Sequence, residues 1–192
     1  MTLIPEGSLR CEFDDALWTA IKWDAHAAYT HGIGKLQGEL TDPVSSQKRP
    51  AGTRAVDIVG VHAGALYLIE IKDFRGYEAA NAYRQEDELP LEVGFKVRDT
   101  IAGLVGAHAS GRNAALLGPF IRALADARPV RVIAWILEDK GGSAGERRKY
   151  IAMNDTRTKQ LARRLGWLTS SAWVDDPLNP YLALPGVAVR QA

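Results

Sequence analysis

The stretch AVDIVGVHAGALYLIEIKDFRGY, residues 55 to 77, decides the fold. AVDIVGV and ALYLIEIK are rich in β-branched and apolar residues, and HAGA between them can reverse the chain, so the two runs are expected to form a β-hairpin. Side chains alternate across a strand, which puts Glu70 and Lys72 on one face. With Ala63 and Gly64 at the turn centre, His62 opposes Ala65 and the numbers of paired residues sum to 127, which sets Asp57 opposite Glu70. Ala63 is not the residue that the tightest turns favour; a longer loop or a bulge would shift this register but keep the two carboxylates close.

Directly opposed residues on one face have Cβ atoms about 4.5 to 5.5 Å apart, near enough for two carboxylates to hold one cation. In otherwise apolar strands the pair would repel and lose hydration, so it needs a cation, a shared proton or solvent. An all-oxygen donor set favours Mg²⁺ or Mn²⁺, which keep waters and meet phosphate oxygens. Lys72 adds a mobile positive charge suited to an attacking water or to charge developing on phosphate oxygens. The plainer alternative is an ion pair between Lys72 and either acid at a sheet edge.

Working outward, Phe13, Leu17, Ala20, Ile21 and Ala28 recur at helical spacing and predict a first helix from about Glu12 to Tyr29. Residues 35 to 41 suit a strand, and DPVSSQKRPAGT reads as loop. Downstream of the hairpin, Val93, Val97, Ile101, Leu104 and His108 line one face of a second helix, on which Lys96 reads as a charge on a solvated side. Pro119 suits the first turn of a short helix ending near Ala127. VRVIAWILE predicts a buried strand, GGSAGE a connection, and RKYIAM another strand; Asn154 or Asp155 then caps a helix through Leu165, with Gly166 at its end. The expected fold is α/β or α+β, a mixed central sheet flanked by helices with a C-terminal addition beyond Trp167.

Size and composition fit this reading: 192 residues with 46% hydrophobic content suit one domain spanning residues 1 to 192. Balanced charge, 24 basic against 23 acidic residues, requires any basic patch to be local. The single cysteine, Cys11, excludes an internal disulfide, and MTLIPEGSLRCEF lacks the apolar core of a signal peptide, so a cytoplasmic setting is expected. No apolar run approaches the roughly 20 residues of a membrane span, so no membrane partner is expected.

The D, ExK pattern in residues 55 to 77 resembles the core motif of the PD-(D/E)XK nuclease superfamily, and IEIKDFRG resembles its nuclease-related NERD group. Val56 stands where that pattern writes Pro. The resemblance implies a restriction-endonuclease-like αβββαβ core, Asp57 and Glu70 as metal ligands with the Ile71 carbonyl as a third, and Lys72 as the catalytic lysine. It implies hydrolysis of nucleic-acid phosphodiesters, DNA before RNA, with Mg²⁺ or Mn²⁺. Such nucleases often add an acid from the first helix. FDDAL offers Asp14 or Asp15, with Glu12 nearby; Asp14 is preferred, although acids in a first turn equally suit the helix dipole. The alternative is a noncatalytic nucleic-acid-binding or assembly module with the same fold, and a homodimer is left open.

Between residues 147 and 164, Arg147, Arg148, Lys149, Arg157, Lys159, Arg163 and Arg164 face only Asp155, a local balance of +6 and the best candidate phosphate-binding surface. Residues 78 to 92 carry Glu78, Glu86, Asp87, Glu88 and Glu92 against Arg84, a balance of −4. Both runs are equally readable as ordinary solvated faces. Trp135 and Trp167 are expected in the core. GGSAG matches G-x-S-x-G in letters, but a strand is expected after it and no histidine follows His108. GIGK lacks P-loop spacing, and the four histidines with one cysteine form no metal-ligand pattern.

Overall fold

The structure, a computed structural model, describes residues 1–41, 46, 48–76, 88–111, 113–139 and 143–192. Glu78, Arg84, Glu86 and Asp87 of the acidic stretch, and Gly141 and Gly142 of GGSAG, lie outside the described residues. Among the described residues the strands are β1 (Thr2–Glu6), β2 (Leu9–Phe13), β3 (Trp18–Lys22), β4 (Gln37–Thr41), β5 (Lys48–Gly52), β6 (Ile58–His62), β7 (Ala65–Asp73), β8 (Val130–Leu137), β9 (Ala172–Asp175) and β10 (Val187–Gln191). The helices are α1 (Ala27–Thr30), α2 (Glu88–Ala109), α3 (Ala114–Ala125) and α4 (Ala144–Arg164). Among the described residues no helix is long and apolar enough to cross a membrane.

A five-stranded sheet in the order β3-β6-β7-β8-β9 forms the centre. β3, β6 and β7 run antiparallel in turn, whereas β7, β8 and β9 are parallel. Antiparallel neighbours accept a tight turn, but parallel ones need a crossover; α2 and α3 carry the first and α4 the second. On one face Leu66 and Leu68 of β7 pack with Val93, Val97, Leu104, Phe120 and Leu161 of the helices. On the other, Tyr67, Ile69 and Ile71 meet Ile4, Leu9, Cys11 and Phe13 of a smaller sheet, ordered β1-β2-β10. The fold is therefore mixed α/β, its central sheet covered by helices on one side and by three strands on the other.

The β6–β7 hairpin has the expected register, from His62 opposite Ala65 to Ile58 opposite Ile69. Ala63 and Gly64 both take positive φ, 48° and 79°, as a twist-matched two-residue turn requires. α2 forms as expected, with Val93, Val97 and Leu104 fully buried. Gly103 lets it approach closely, because a Cβ there would lie 2.9 Å from Ile33 and 3.1 Å from Trp23.

Four expected elements are corrected. The helix over Glu12 to Tyr29 is instead β2, β3 and the short α1. Leu9, Cys11 and Phe13, then Trp18 and Ala20, are buried at period two, and β2 is paired on both sides, by β1 and by the distant β10. The loop over DPVSSQKRPAGT contains β5, which returns against β4. α3 starts at Ala114, so Pro119 lies inside it, preceded by Gly118, which has no Cβ to clash with the proline ring. RKYIAM belongs to α4, whose N-cap is Ser143 in a reciprocal capping box with Glu146, not Asn154 or Asp155. Its buried positions are Asn154, Arg157 and Leu161, a largely polar stripe that hides the helical period from a hydrophobicity count.

Candidate metal centre

Strand β6 ends one residue short of Asp57, and there the chain parts from β7. The Val56 amide donates to Thr100 Oγ1 of α2 at 3.0 Å. In the ladder, Ile71 would pair with residue 56; instead Asp57 Oδ2 accepts from the Ile71 amide at 2.6 Å. The Asp57 carbonyl still accepts from Trp23, so the backbone remains tied to β3 while its carboxylate replaces a ladder partner. Amide and carbonyl of one strand residue point to the same side. The Ile71 carbonyl is thus directed to the same edge as Asp57.

Glu70 lies on the helix-facing side of β7 and is 1% exposed. Its Oε1 accepts from Lys96 Nζ at 2.6 Å and lies 3.3 Å from Lys72 Nζ. Its Oε2 is buried and has no hydrogen-bond partner. Lys72 is held more closely by Glu92 of α2, at 2.8 Å. Glu92 and Lys96 are one helical turn apart and so share a face of α2.

Burial pushes Asp57 up to about 6, opposed by the Lys96 charge and the Ile71 amide. Burial and the nearby Asp57 charge push Glu70 up to about 7, opposed by Lys96 and Lys72. Burial alone would lower Lys72, but Glu70 and Glu92 outweigh it and its value is raised. Glu92, in contrast, is lowered, because Lys72 outweighs the effect of burial.

A second acidic group adjoins this one. Glu6 at the end of β1, Asp24 just after β3 and Asp57 each place one carboxylate oxygen within 4.8 Å of the others. Asp24 Oδ1 is buried without a partner, and burial raises its value. Glu6 is paired with Lys22. Carboxylate oxygens and an orphaned buried acceptor fit a hard divalent cation. The donors therefore suit such an ion, with Asp57 common to both groups.

The structure brings Asp57, Glu70, Ile71 and Lys72 together. Asp14 does not join them: its Oδ1 accepts from Ala16, and it precedes β3 at the end paired with His62. That end is roughly 13 Å along the strand from Lys22 and Ile58. Asp15 binds Thr2, and Glu12 pairs with Arg10 and Arg190. The acids that reach Asp57 are Glu6 and Asp24, whose turn and strand-end positions carry no motif. Lys96 is also corrected, being 16% exposed and fixed on Glu70.

Of the basic run, Arg147, Arg148, Lys149, Lys159 and Arg163 are exposed and Arg164 is half-buried. Arg157 leaves this surface: it is 1% exposed and forks onto Glu138 at 2.8 and 3.3 Å, with Asn154 at 3.0 Å. Trp135 is in the core, but Trp167 is 59% exposed. Ser143 precedes a helix, not the expected strand, and its hydroxyl is spent on Glu146 in the cap. A cleft of about 990 Å³, with Tyr150, Thr158, Trp173 and Tyr181 in its wall, shares no residue with the carboxylate site.

Fold and site together define a mixed α/β protein with a buried carboxylate and lysine centre at the strand ends. No family model and no solved structure matches the chain. A cysteine–tRNA ligase of Neisseria meningitidis serogroup A is 42% identical over 60 residues, 29% of this chain. The chain spans 9% of that relative, so the similarity is local.

Proposed function

We propose that the chain is a metal-dependent nuclease of the PD-(D/E)XK kind, acting on DNA. The observation that carries the reading is the pairing of Asp57, anchored by the Ile71 amide, with Glu70, whose Oε2 is buried and unpartnered. Support also comes from the strand order β3-β6-β7-β8, antiparallel twice and then parallel across a helical connection, which is the order expected of an αβββαβ core after its first helix. Here β1 and β2 precede that core instead of a helix.

Asp57, Glu70 and the Ile71 carbonyl would hold the ion, and Asp24 is near enough to add an oxygen. Bound there, Mg²⁺ or Mn²⁺ supplies Lewis acidity to phosphate oxygens and acidifies an attacking water. Lys72 stabilises charge on the reacting phosphate, and Glu92 aims its ammonium from α2. The exposed arginines and lysines of α4 are the proposed phosphate contacts.

Single-turnover cleavage of labelled DNA and RNA under saturating Mg²⁺ or Mn²⁺ tests this reading. Lys72→Ala is expected to cut about 10² to 10³ times more slowly while keeping metal affinity. Equal rates would remove Lys72 from the chemistry. A wild type that binds nucleic acid but cuts no substrate would make the noncatalytic binding module the better description.

A further inference from the structure

Lys96 is rooted on a helix that cannot easily move. α2 buries Val93 and Val97 against the sheet, while Thr100 and Asp99 accept from the Val56 and Arg54 amides. From that fixed base its side chain reaches Glu70 Oε1 at 2.6 Å, closer than Lys72 at 3.3 Å. The two lysines thus divide their roles, Lys72 resting on Glu92 and Lys96 on Glu70. The Lys96 charge also acts on Asp57 and Asp24, so it serves the whole acidic group and not one acid.

We propose that Lys96 is an internal counter-cation that a divalent metal ion must displace from Glu70. This rests on the metal-site reading above. The two ammonium groups on Oε1 leave Glu70 Oε2 unsatisfied, a buried acceptor that a hard divalent cation held by Asp57 and Glu70 would take up. Lysine suits an exchangeable role, because its compact, strongly hydrated ammonium on a four-carbon stem can swing into water without its helix moving. Lys96 is 16% exposed, so the path outward exists. Before the exchange Lys96 balances buried negative charge; afterwards the metal does. Lys96 is thus a positioning residue that sets the concentration of metal at which the site fills.

The opposite consequences of two substitutions distinguish displacement from simple support. Lys96→Gln removes the competing charge and is expected to tighten Mn²⁺ binding about tenfold, since close like charges repel strongly in a poorly screened site. Lys96→Arg keeps the charge, and its fork grips both oxygens of a carboxylate, so it is expected to weaken binding by about tenfold. Calorimetric titration of the full chain with Mn²⁺ reads both, with far-UV circular dichroism confirming the fold. A structural role alone predicts weaker binding in both variants. Unchanged or weaker binding by folded Lys96→Gln overturns the displacement, as does unchanged or tighter binding by Lys96→Arg; if the glutamine variant does not fold, Lys96→Met, which also removes the charge, takes its place with the same expected tightening and the same overturning result. Failure of the wild type and both variants to take up Mn²⁺ overturns the metal site itself.

Discussion

Two buried glutamates stand near the ends of adjacent parallel strands, and their surroundings differ in kind. Glu138 follows β8 and receives the fork of Arg157, one nitrogen to each oxygen, while Asn154 takes up a further guanidinium bond. Glu70 in β7 receives two ammonium groups on Oε1 and nothing on Oε2. The first pair is closed, since planar guanidinium and carboxylate match in number and direction. The second is open, with surplus charge around an acceptor that nothing in the described chain completes. Burial of a carboxylate therefore does not mark a site; an incomplete shell around it does.

The comparison is broken most severely at its closed side. Arg157→Ala leaves Glu138 buried and unpaired, and is expected to cost about 3 to 5 kcal/mol in denaturant unfolding while Mn²⁺ binding by the folded fraction is unchanged. A loss below about 1 kcal/mol would show that the pair does not hold α4 to the sheet in this way.

A smaller effect is expected at the open side. Burial raises Asp57 to about 6 and Glu70 to about 7, so between about pH 4 and pH 7 these two acids hold more protons in the native chain than in the unfolded one. Their contribution to metal-free stability then falls as pH rises through that window. Glu70→Gln should flatten the fall and abolish Mn²⁺ binding; melts across pH with and without Mn²⁺ measure both. A Glu70→Gln variant whose metal-free stability changes with pH just as the wild type's does would contradict the raised value of Glu70.

The smallest effect concerns the surface. Arg147, Arg148 and Lys149 are exposed, and replacing all three by Gln should lower the log-log salt slope of duplex binding by about 0.9 for each phosphate that is no longer neutralised. An unchanged slope would make this face of α4 a solvated surface only.

The hairpin is readable from sequence because its information is local: two β-branched runs, a two-residue turn and the alternation of side chains determine the register, which runs to Ile58 opposite Ile69 and leaves Asp57 and Glu70 just past its end. The second helix is readable for the same reason, through Val93, Val97 and Leu104. The expected first helix fails because Phe13 and Ala20, which fit a helical spacing, belong to two separate runs of alternating burial, Leu9, Cys11, Phe13 and Trp18, Ala20, and the partners that decide this, β10 for β2 and β6 for β3, are far away in the chain. α4 reads as two elements because Arg157 occupies a buried position, with its charge balanced by Glu138 on another element. The site divides likewise. Asp57, Glu70 and Lys72 follow from one hairpin, whereas Asp24, Glu6 and Lys96 reach it only through tertiary packing.

That same distant pairing bears on how the protein is made. Glu6 lies at the end of β1, and a two-stranded ribbon of β1 and β2 is marginal in water; β10 makes it three-stranded. Synthesis runs from the amino terminus, so the central hairpin leaves the ribosome with its acids already made, while the strand that steadies Glu6 emerges after all the other strands described. A nascent chain therefore carries Glu6 beside a two-stranded ribbon through more than a hundred further additions, from Glu70 to Gln191, and that small sheet gains its third strand only once β10 has been made.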